Sequence, residues 1–403
     1  MTMRALAAKR VVTCDPSRPG ALGVIDDGVV ATDGAHIAYV GPRAQAPATA
    51  EVVELGDRLI TPGLVDAHTH ACWLGSRHAE YAVRMTGGDY RAFAKQGGGI
   101  MATHRVVAAA SQHDLAEVLR ARLRRMAQLG VTTVEVKSGY GLEAAQERKQ
   151  LSAIAQVAAC DDVPAVVPTL LALHALPPAA QGSIANRAAH VAEMANELIP
   201  EVASKGLARF VDAYVDEDAF TIAEARSVGE AALKAGLGLR MHVGQFADVG
   251  GAQLAASLRA QSADHLEHIS PAGIEALAEA RVAAVLLPVA SFTLGQPPPP
   301  VAALRSAGLT LVVASDANPG TAPTESLPLA MALAVRVYGL SPEEALLAAT
   351  RNAAKALALP DRGELREGAR ADVVVWDLPH EQGLVQPWGV AKTLLVIAGG
   401  KVL

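Results

Sequence analysis

The chain has 403 residues, a hydrophobic content of 51% and a formal net charge of −6, which suffices for a full core in roughly two or three domains. Its aromatic content of 3% and its lack of a lysine or arginine block argue against a nucleic-acid-binding surface. No run of 18 uncharged apolar residues occurs, and the charged start is unlike a secretory signal, so we expect a cytoplasmic protein without membrane contact.

Short β-rich runs alternate with alanine-rich helical segments through the middle of the chain. Eight runs are predicted as strands: 64–68, 132–137, 165–169, 210–215, 239–242, 263–268, 284–288 and 311–316. Helical spacing covers segments such as 115–129, 143–159 and 222–235, and Gly130, Gly236 and Gly308 are expected to stop helices before the next strand. This alternation predicts a parallel (β/α)8 TIM barrel over residues 61–360.

The two chain ends have a different pattern. Residues 29–40 and 372–376 alternate or cluster β-forming residues between glycine-rich turns. We therefore predict that residues 1–60 and 361–403 pair into one small β-sandwich domain. The three cysteines, Cys14, Cys72 and Cys160, form no spacing motif and are predicted to be reduced thiols.

The most informative motif is His68-Thr69-His70, which follows a Pro-Gly break and a short apolar run. Two residues at i and i+2 of an extended segment project to the same side, so both imidazoles can reach one metal ion. The alternative for a lone His-x-His is a pair of unrelated surface histidines. The neighbouring Asp66 and the strand context favour the metal site.

Further polar residues fall at the predicted carboxyl ends of barrel strands. His68 and His70 close strand one, His174 follows strand three, His242 ends strand five, His265 lies within strand six, and Asp316 ends strand eight. This edge of a TIM barrel holds the active site. Three imidazoles and one carboxylate suit Zn²⁺ or Fe²⁺, which would lower the pKa of a bound water to about 7.

Several longer segments make the resemblance specific. They are Asp66-Ala67-His68-Thr69-His70, Gly75-Ser76-Arg77, Gln96-Gly97-Gly98-Gly99-Ile100, Val136-Lys137-Ser138-Gly139-Tyr140-Gly141-Leu142, His174-Ala175-Leu176-Pro177, Ser262-Ala263-Asp264-His265-Leu266, and Asp316 with Asn318-Pro319-Gly320. Over nearly its whole length the chain resembles the imidazolonepropionase-type members of the amidohydrolase superfamily. The resemblance implies metal ligands at His68, His70, His242 and Asp316.

The resemblance also implies the substrate contacts. Arg77, Tyr90 and Tyr140 match residues that hold a propanoate arm and ring, while His174 and His265 match ring-contacting and charge-stabilising histidines. We count as catalytic Asp316, His265 and Gln245, and as substrate-binding Arg77, Tyr90, Tyr140, His174, Asn318 and Gly320.

Two of these assignments leave alternatives open. Arg77 offers a planar fork that matches a carboxylate, but a surface salt bridge is the other interpretation. Lys137 at the end of strand two could be a metal-bridging carbamate, but two-metal relatives carry that lysine on strand four. This chain has Asp212-Ala213-Tyr214-Val215 there, so one metal is expected, zinc first and iron as the alternative.

The chain departs from the family pattern around the site. After His242 the family carries alanine, an acidic residue and then Glu or Gln, whereas this chain has Val243-Gly244-Gln245. Further departures are Ala172-Leu173-His174, Leu287-Pro288-Val289 and Ala314-Ser315-Asp316-Ala317-Asn318. The predicted metal ligands are intact while residues near the substrate are altered, which indicates a changed substrate. Neutral drift within the family is the alternative.

We therefore predict a mononuclear zinc hydrolase acting on a small five-membered ring with a carboxylate arm. The ring favoured by the missing carboxylate at Gly244 is the 2-thioxo propanoate analogue from ergothioneine degradation, with sulfide leaving. The alternatives are imidazolonepropionase of histidine degradation, which yields N-formimino-glutamate, a deaminase on the same barrel, and a non-catalytic assembly-forming relative. A homodimer is expected.

Overall fold

The computed structural model describes residues 4–48, 51–87 and 98–403. Its strands are β1 Arg4–Val12, β2 Val24–Asp33, β3 His36–Pro42, β4 Glu51–Pro62, β5 Leu64–Asp66, β6 Val131–Lys137, β7 Ala165–Leu173, β8 Phe210–Val215, β9 Gly238–Val243, β10 Ser262–His265, β11 Ala283–Leu286, β12 Leu311–Val313, β13 Val373–Trp376, β14 Thr393–Ala398 and β15 Lys401–Val402.

The α-helices span His78–Met85, Ile100–Ala109, Gln112–Ala127, Ala144–Ala158, Ile184–Glu193, Ile199–Ser204, Ile222–Lys234, Gly251–Ser257, Pro271–Ala280, Pro288–Leu294, Val301–Ser306, Leu327–Tyr338, Pro342–Ala348 and Arg351–Ala356. Local sequence sets several of their starts. Ser111 and Thr221, for example, each form a capping box with an acidic residue three positions later. Within the described ranges, none of the helices has the length and apolar character that crossing a bilayer requires.

Strands β5 to β12 pair in parallel and in chain order, which confirms the predicted barrel. The ring closes just beyond the first and last strands, where Thr69 forms a parallel bridge with Ala317. Two main-chain hydrogen bonds of 3.0 Å flank this bridge, from Asp316 N–H to the His68 carbonyl and from His70 N–H to the Ala317 carbonyl. All eight predicted runs form barrel strands.

The strand ends differ from the prediction. Because β5 ends at Asp66 and β12 at Val313, the residues His68, His70 and Asp316 lie just past the strands rather than closing them. Past β12 the Ser315 N–H donates to the Asp66 side chain at 3.0 Å instead of to a neighbouring strand, and Asp316 has a φ of 54°. His265, which we expected inside a longer strand, is the last residue of β10 and has a φ of 82°. Both φ values are foreign to extended backbone and place these side chains at turns.

The chain ends form one mixed sheet of seven strands, in the order β15-β14-β13-β4-β1-β2-β3. Strand β4 joins the two ends, because it pairs in parallel with β1 and antiparallel with β13. Leu6 and Val30 lie in one apolar cluster of this sheet, together with Val373, while Ala7 and Val29 lie in another. Alternate residues of β1 therefore pack on opposite faces.

Candidate active site

Three buried histidines meet at the carboxyl end of the barrel. His68 and His70 follow β5, and His242 lies in β9, with one ring nitrogen of each within 4.8 Å of the others. Since Thr69 makes the bridge to Ala317, the histidines on either side of it project to the opposite face, as the i, i+2 spacing predicted. The sequence neighbours His68 and His70 thus form one cluster with His242 from a distant strand.

Asp316 completes a four-residue group. Its Oδ1 lies 3.5 Å from Nε2 of both His68 and His70, and the Nε2 atoms of His70 and His242 are 3.3 Å apart. Ligands at ~2.0–2.1 Å from one tetrahedral ion are separated by roughly 3.3–3.4 Å. Within the described residues, His68 Nε2 and Asp316 Oδ1 are buried without a hydrogen-bond partner. The donor set fits a divalent metal ion.

The protonation states also suit a metal. Burial lowers the pKa of His68, His70 and His242, so the imidazoles are neutral and can act as ligands. His68 Nδ1 lies 2.6 Å from Asp264 Oδ2, and His242 Nδ1 lies 3.0 Å from Asp212 Oδ1. Each Nδ1–H donates to its carboxylate, which leaves Nε2 with a lone pair.

The two orienting carboxylates were missed by the sequence analysis. Asp264 was noted only as part of a motif and Asp212 only as a residue that is not lysine. For Asp212 the available signal was a carboxylate on the strand next to that of His242, whereas Asp264 lies on a strand that does not adjoin β5. The partner, however, depends on which side chains face inward at the same height of the barrel.

A cavity of about 500 Å³ opens beside this group. The predicted site residues that line it are His70, Arg77, Tyr140, His174, His242, Gln245, His265, Asp316 and Asn318. The volume suits a small-molecule substrate. Tyr90, a predicted substrate contact, lies outside the described residues.

Arg77 is 7% exposed and lines the cavity, and it also forms a salt bridge, with Glu80. Its Nε and Nη2 donate to Glu80 at 2.9 and 2.8 Å, and the other oxygen of Glu80 accepts from Gly99 N–H at 3.0 Å. This ties the arginine to the glycine-rich segment.

Gly320, which we predicted to contact substrate, lies against the Arg77 guanidinium. A Cβ on Gly320 would lie 2.2 Å from Arg77 Nη1 and 2.5 Å from Cζ, so the glycine makes room for the guanidinium. Arg84 Nη2 donates to the Gly320 carbonyl at 3.0 Å. Gly320 therefore acts on the cavity through Arg77.

His174 and Tyr140 form an aromatic wall. The His174 ring stacks on His70 with centroids 5.2 Å apart, and the Tyr140 ring lies 5.4 Å from that of His174. Burial lowers the pKa of His174 to about 3, so the ring is neutral. Its Nδ1–H donates to the Gly139 carbonyl at 2.7 Å, which makes Nε2 a hydrogen-bond acceptor.

His265 faces the carboxylate of Glu267, which is itself held by hydrogen-bonded hydroxyl groups. Its Nδ1 lies 3.6 Å from Glu267 Oε2, while Ser291 Oγ donates to Glu267 Oε1 at 2.5 Å and lies 2.5 Å from the Tyr338 hydroxyl. Burial alone lowers the pKa of His265, but the nearby carboxylates, Glu267 first, outweigh it and raise that pKa. Glu267 therefore stabilises the protonated form of the His265 ring. No sequence motif had pointed to Glu267, Ser291 or Tyr338.

Burial also raises the pKa of Asp316 to about 7. Asn318 fixes the loop that presents Asp316. Its Nδ2 donates to Asp316 Oδ2 at 3.0 Å, and its Oδ1 accepts from Gly320 N–H at 2.8 Å and Thr321 N–H at 2.7 Å. These polar atoms are used within their own loop.

The segment after His242 is held by Asp216, whose carboxylate accepts the N–H groups of Gln245, Phe246 and Ala247 at 2.8–3.0 Å. Gln245 lines the cavity, and its Oε1 accepts from the Tyr214 hydroxyl at 3.0 Å. Gly244 has a φ of 66°, and a Cβ there would point at the backbone of residues 266–269. The Cβ of any side chain at residue 244 would therefore lie in ordinary contact with that backbone.

Fold and site together define a class of protein: a barrel hydrolase with a candidate divalent metal centre at the carboxyl ends of its strands. The protein-family model described as "Amidohydrolase family" matches residues 59–403. The imidazolonepropionase of Caulobacter vibrioides is 42% identical over 384 residues, which covers 94% of each chain. That of Anaeromyxobacter dehalogenans is 42% identical over 400 residues, covering 98% of this chain and 94% of the relative.

Solved structures agree on the fold. The atrazine chlorohydrolase of Arthrobacter aurescens complexed with zinc superposes with a TM-score of 0.69 at 18% identity, covering 99% of this chain and 94% of that one. An adenosine deaminase from Xanthomonas campestris with bound zinc has a TM-score of 0.69 at 21% identity, covering 99% and 92%. The chain belongs to the amidohydrolase family and is a metal-dependent hydrolase.

Proposed function

We propose that the protein hydrolyses a five-membered cyclic amide ring that carries a propanoate arm, using one zinc ion. The observation that carries this proposal is the buried Arg77 guanidinium, which lines the same cavity as His70, His242 and Asp316. The guanidinium can donate charge-assisted hydrogen bonds to the planar carboxylate of the arm. The separation between Arg77 and the metal group then limits which rings fit between them.

The chain's own residues supply proton transfer and charge stabilisation. A zinc ion at the four-residue group would polarise the scissile carbonyl and lower the pKa of a coordinated water to about 7. The Asp316 carboxylate accepts the proton of the attacking water and returns it to the ring nitrogen as the C–N bond breaks. His265, in its cationic form, donates a hydrogen bond to the oxygen that gains negative charge. His174 Nε2 accepts from a ring N–H.

The first candidate ring is imidazolone propanoate, because the two relatives described above, both named imidazolonepropionase, match 94% and 98% of the chain. Water adds to the lactam carbonyl carbon, the C–N bond breaks, and a new carboxylate forms on open-chain N-formimino-glutamate. Gln245 keeps the cavity wall neutral near the ring and can donate or accept a hydrogen bond there.

The 2-thioxo analogue is the second candidate. Its support is charge: Val243, Gly244 and Gln245 bring no carboxylate, so this segment would not repel a departing anionic sulfur. In that reaction the oxygen of water replaces the ring sulfur, which leaves with two protons as hydrogen sulfide.

The experiment offers purified protein both acids and follows ring absorbance and sulfide together. Loss of imidazolone absorbance without sulfide from the thioxo ring supports the first candidate, and sulfide release supports the second. Ammonia from aminated rings would instead indicate a deaminase. If zinc-loaded protein turns over none of these compounds, the result would favour a non-catalytic, assembly-forming protein. Light scattering of the same sample tests the expected homodimer.

A further inference from the structure

A buried network of charges lies beneath the candidate metal group. Lys137 Nζ donates to Asp212 Oδ2 and to Glu135 Oε1, each at 2.8 Å. Arg240 Nη2 donates to Asp264 Oδ2 at 3.1 Å, and its Nε lies 3.8 Å from Glu135 Oε1. The side chains of all five residues are 0% exposed.

This network touches the metal group at two places. Asp212 accepts from His242 Nδ1, and Asp264 accepts from His68 Nδ1. Glu135 also accepts the N–H of Thr69, the residue between the two histidines of the motif, at 3.1 Å. A continuous path of hydrogen bonds and ion pairs therefore links β5, β6, β8, β9 and β10 under the site.

The formal charges suit a divalent cation. The three carboxylates of Glu135, Asp212 and Asp264 against two cations leave one negative charge, and the Asp316 carboxylate adds a second. A doubly charged ion neutralises the whole buried assembly, which lowers the cost of burying it. Lysine carbamylation would add negative charge next to two carboxylates, so the ammonium form of Lys137 is the one these contacts favour.

We propose that Lys137 is a positioning residue for the metal centre: its ammonium anchors Asp212 and Glu135, and so holds His242 and the Thr69 main chain in ligand geometry. The inference depends on the proposed metal centre but not on the identity of the ring. Coulomb attraction alone makes the opposite prediction, because removing a positive charge near a cation site tightens cation binding. The sign of the change therefore separates positioning from simple electrostatics.

The test measures the zinc Kd of metal-stripped protein by competition with a chromophoric chelator. For Lys137→Met we expect the Kd to rise about 10- to 100-fold, the usual effect of losing a partner behind a metal ligand. The matched control is Lys149→Met, whose ammonium donates at 2.9 Å to the carbonyls of Val107, Ala108 and Ala110 away from the cavity. This variant should keep the wild-type Kd.

A second variant covers the case in which Lys137→Met fails to fold. Asp212→Asn keeps the side-chain volume but loses the charge that Lys137 anchors; positioning and Coulomb attraction both predict a higher Kd for this variant, so an unchanged Kd would exclude positioning through Asp212. Where all variants fold, the double variant should be no worse than the poorer single one, since both residues act on His242 in series. An unchanged or lowered Kd in Lys137→Met, or in Asp212→Asn if only that folds, would overturn the inference. Wild-type protein that binds no zinc would overturn the metal centre itself.

Discussion

Gly320→Ala should weaken binding of the substrate's carboxylate arm by Arg77 without contacting the reacting atoms. The new Cβ would lie 2.2 Å from Arg77 Nη1, more than 1 Å inside an ordinary contact of ~3.5 Å. Neither side can yield easily, because Arg84 Nη2 holds the Gly320 carbonyl and Glu80 holds the far edge of the guanidinium. Gly320 does not have a positive φ, so alanine brings no backbone strain of its own.

The expected loss follows from the bonds at stake. Charge-assisted hydrogen bonds contribute about 1.5–3 kcal/mol, which corresponds to roughly 10- to 150-fold in kcat/KM. Most of the loss should appear as a higher KM, since the arm is held equally in the ground and transition states. The assay compares the propanoate substrate with an analogue whose arm is an alkyl group.

Two results would refute this reasoning. The first is an equal loss for the alkyl analogue, which would make Gly320 a purely structural position. The second concerns Arg77→Lys, which keeps the charge but loses the fork. If Gly320→Ala lowers kcat/KM further in that background by its full factor, the glycine does not act through Arg77.

Further predictions address the metal, the thiols and the segment after His242. Chelator-stripped protein should regain activity with one equivalent of zinc per chain, His68→Ala should not, and two tightly held equivalents would contradict a mononuclear site. Because burial raises the pKa of Cys14 and Cys72 to about 12, native protein at pH 8 should be alkylated only at the half-buried Cys160, as counted by mass spectrometry. Gly244→Glu should destabilise the fold by about 1 kcal/mol or more in denaturant unfolding, because φ is 66° there.

The sequence by itself determined the architecture, because alternating β-rich and helical runs leave few topologies other than a parallel barrel. It also determined the histidine pair, since a spacing of two residues on an extended segment is a local property. Helix stops at Gly130 and Gly236 were equally local, and both have positive φ. The strand limits were not local: β10 ends at His265, which has a positive φ, and past β12 the Ser315 N–H bonds the Asp66 side chain rather than a strand.

Only the tertiary structure decided which residues stand behind the site. Asp212 and Asp264 orient histidines 30 and 196 residues away: Asp212 on β8 lies beside His242 on the adjacent strand β9, whereas Asp264 on β10 reaches His68 from a strand that does not adjoin β5. Gly320 makes room for Arg77 across a sequence separation that no local pattern encodes. Buried partners of this kind depend on side-chain direction and strand register, which are fixed only when the ring closes.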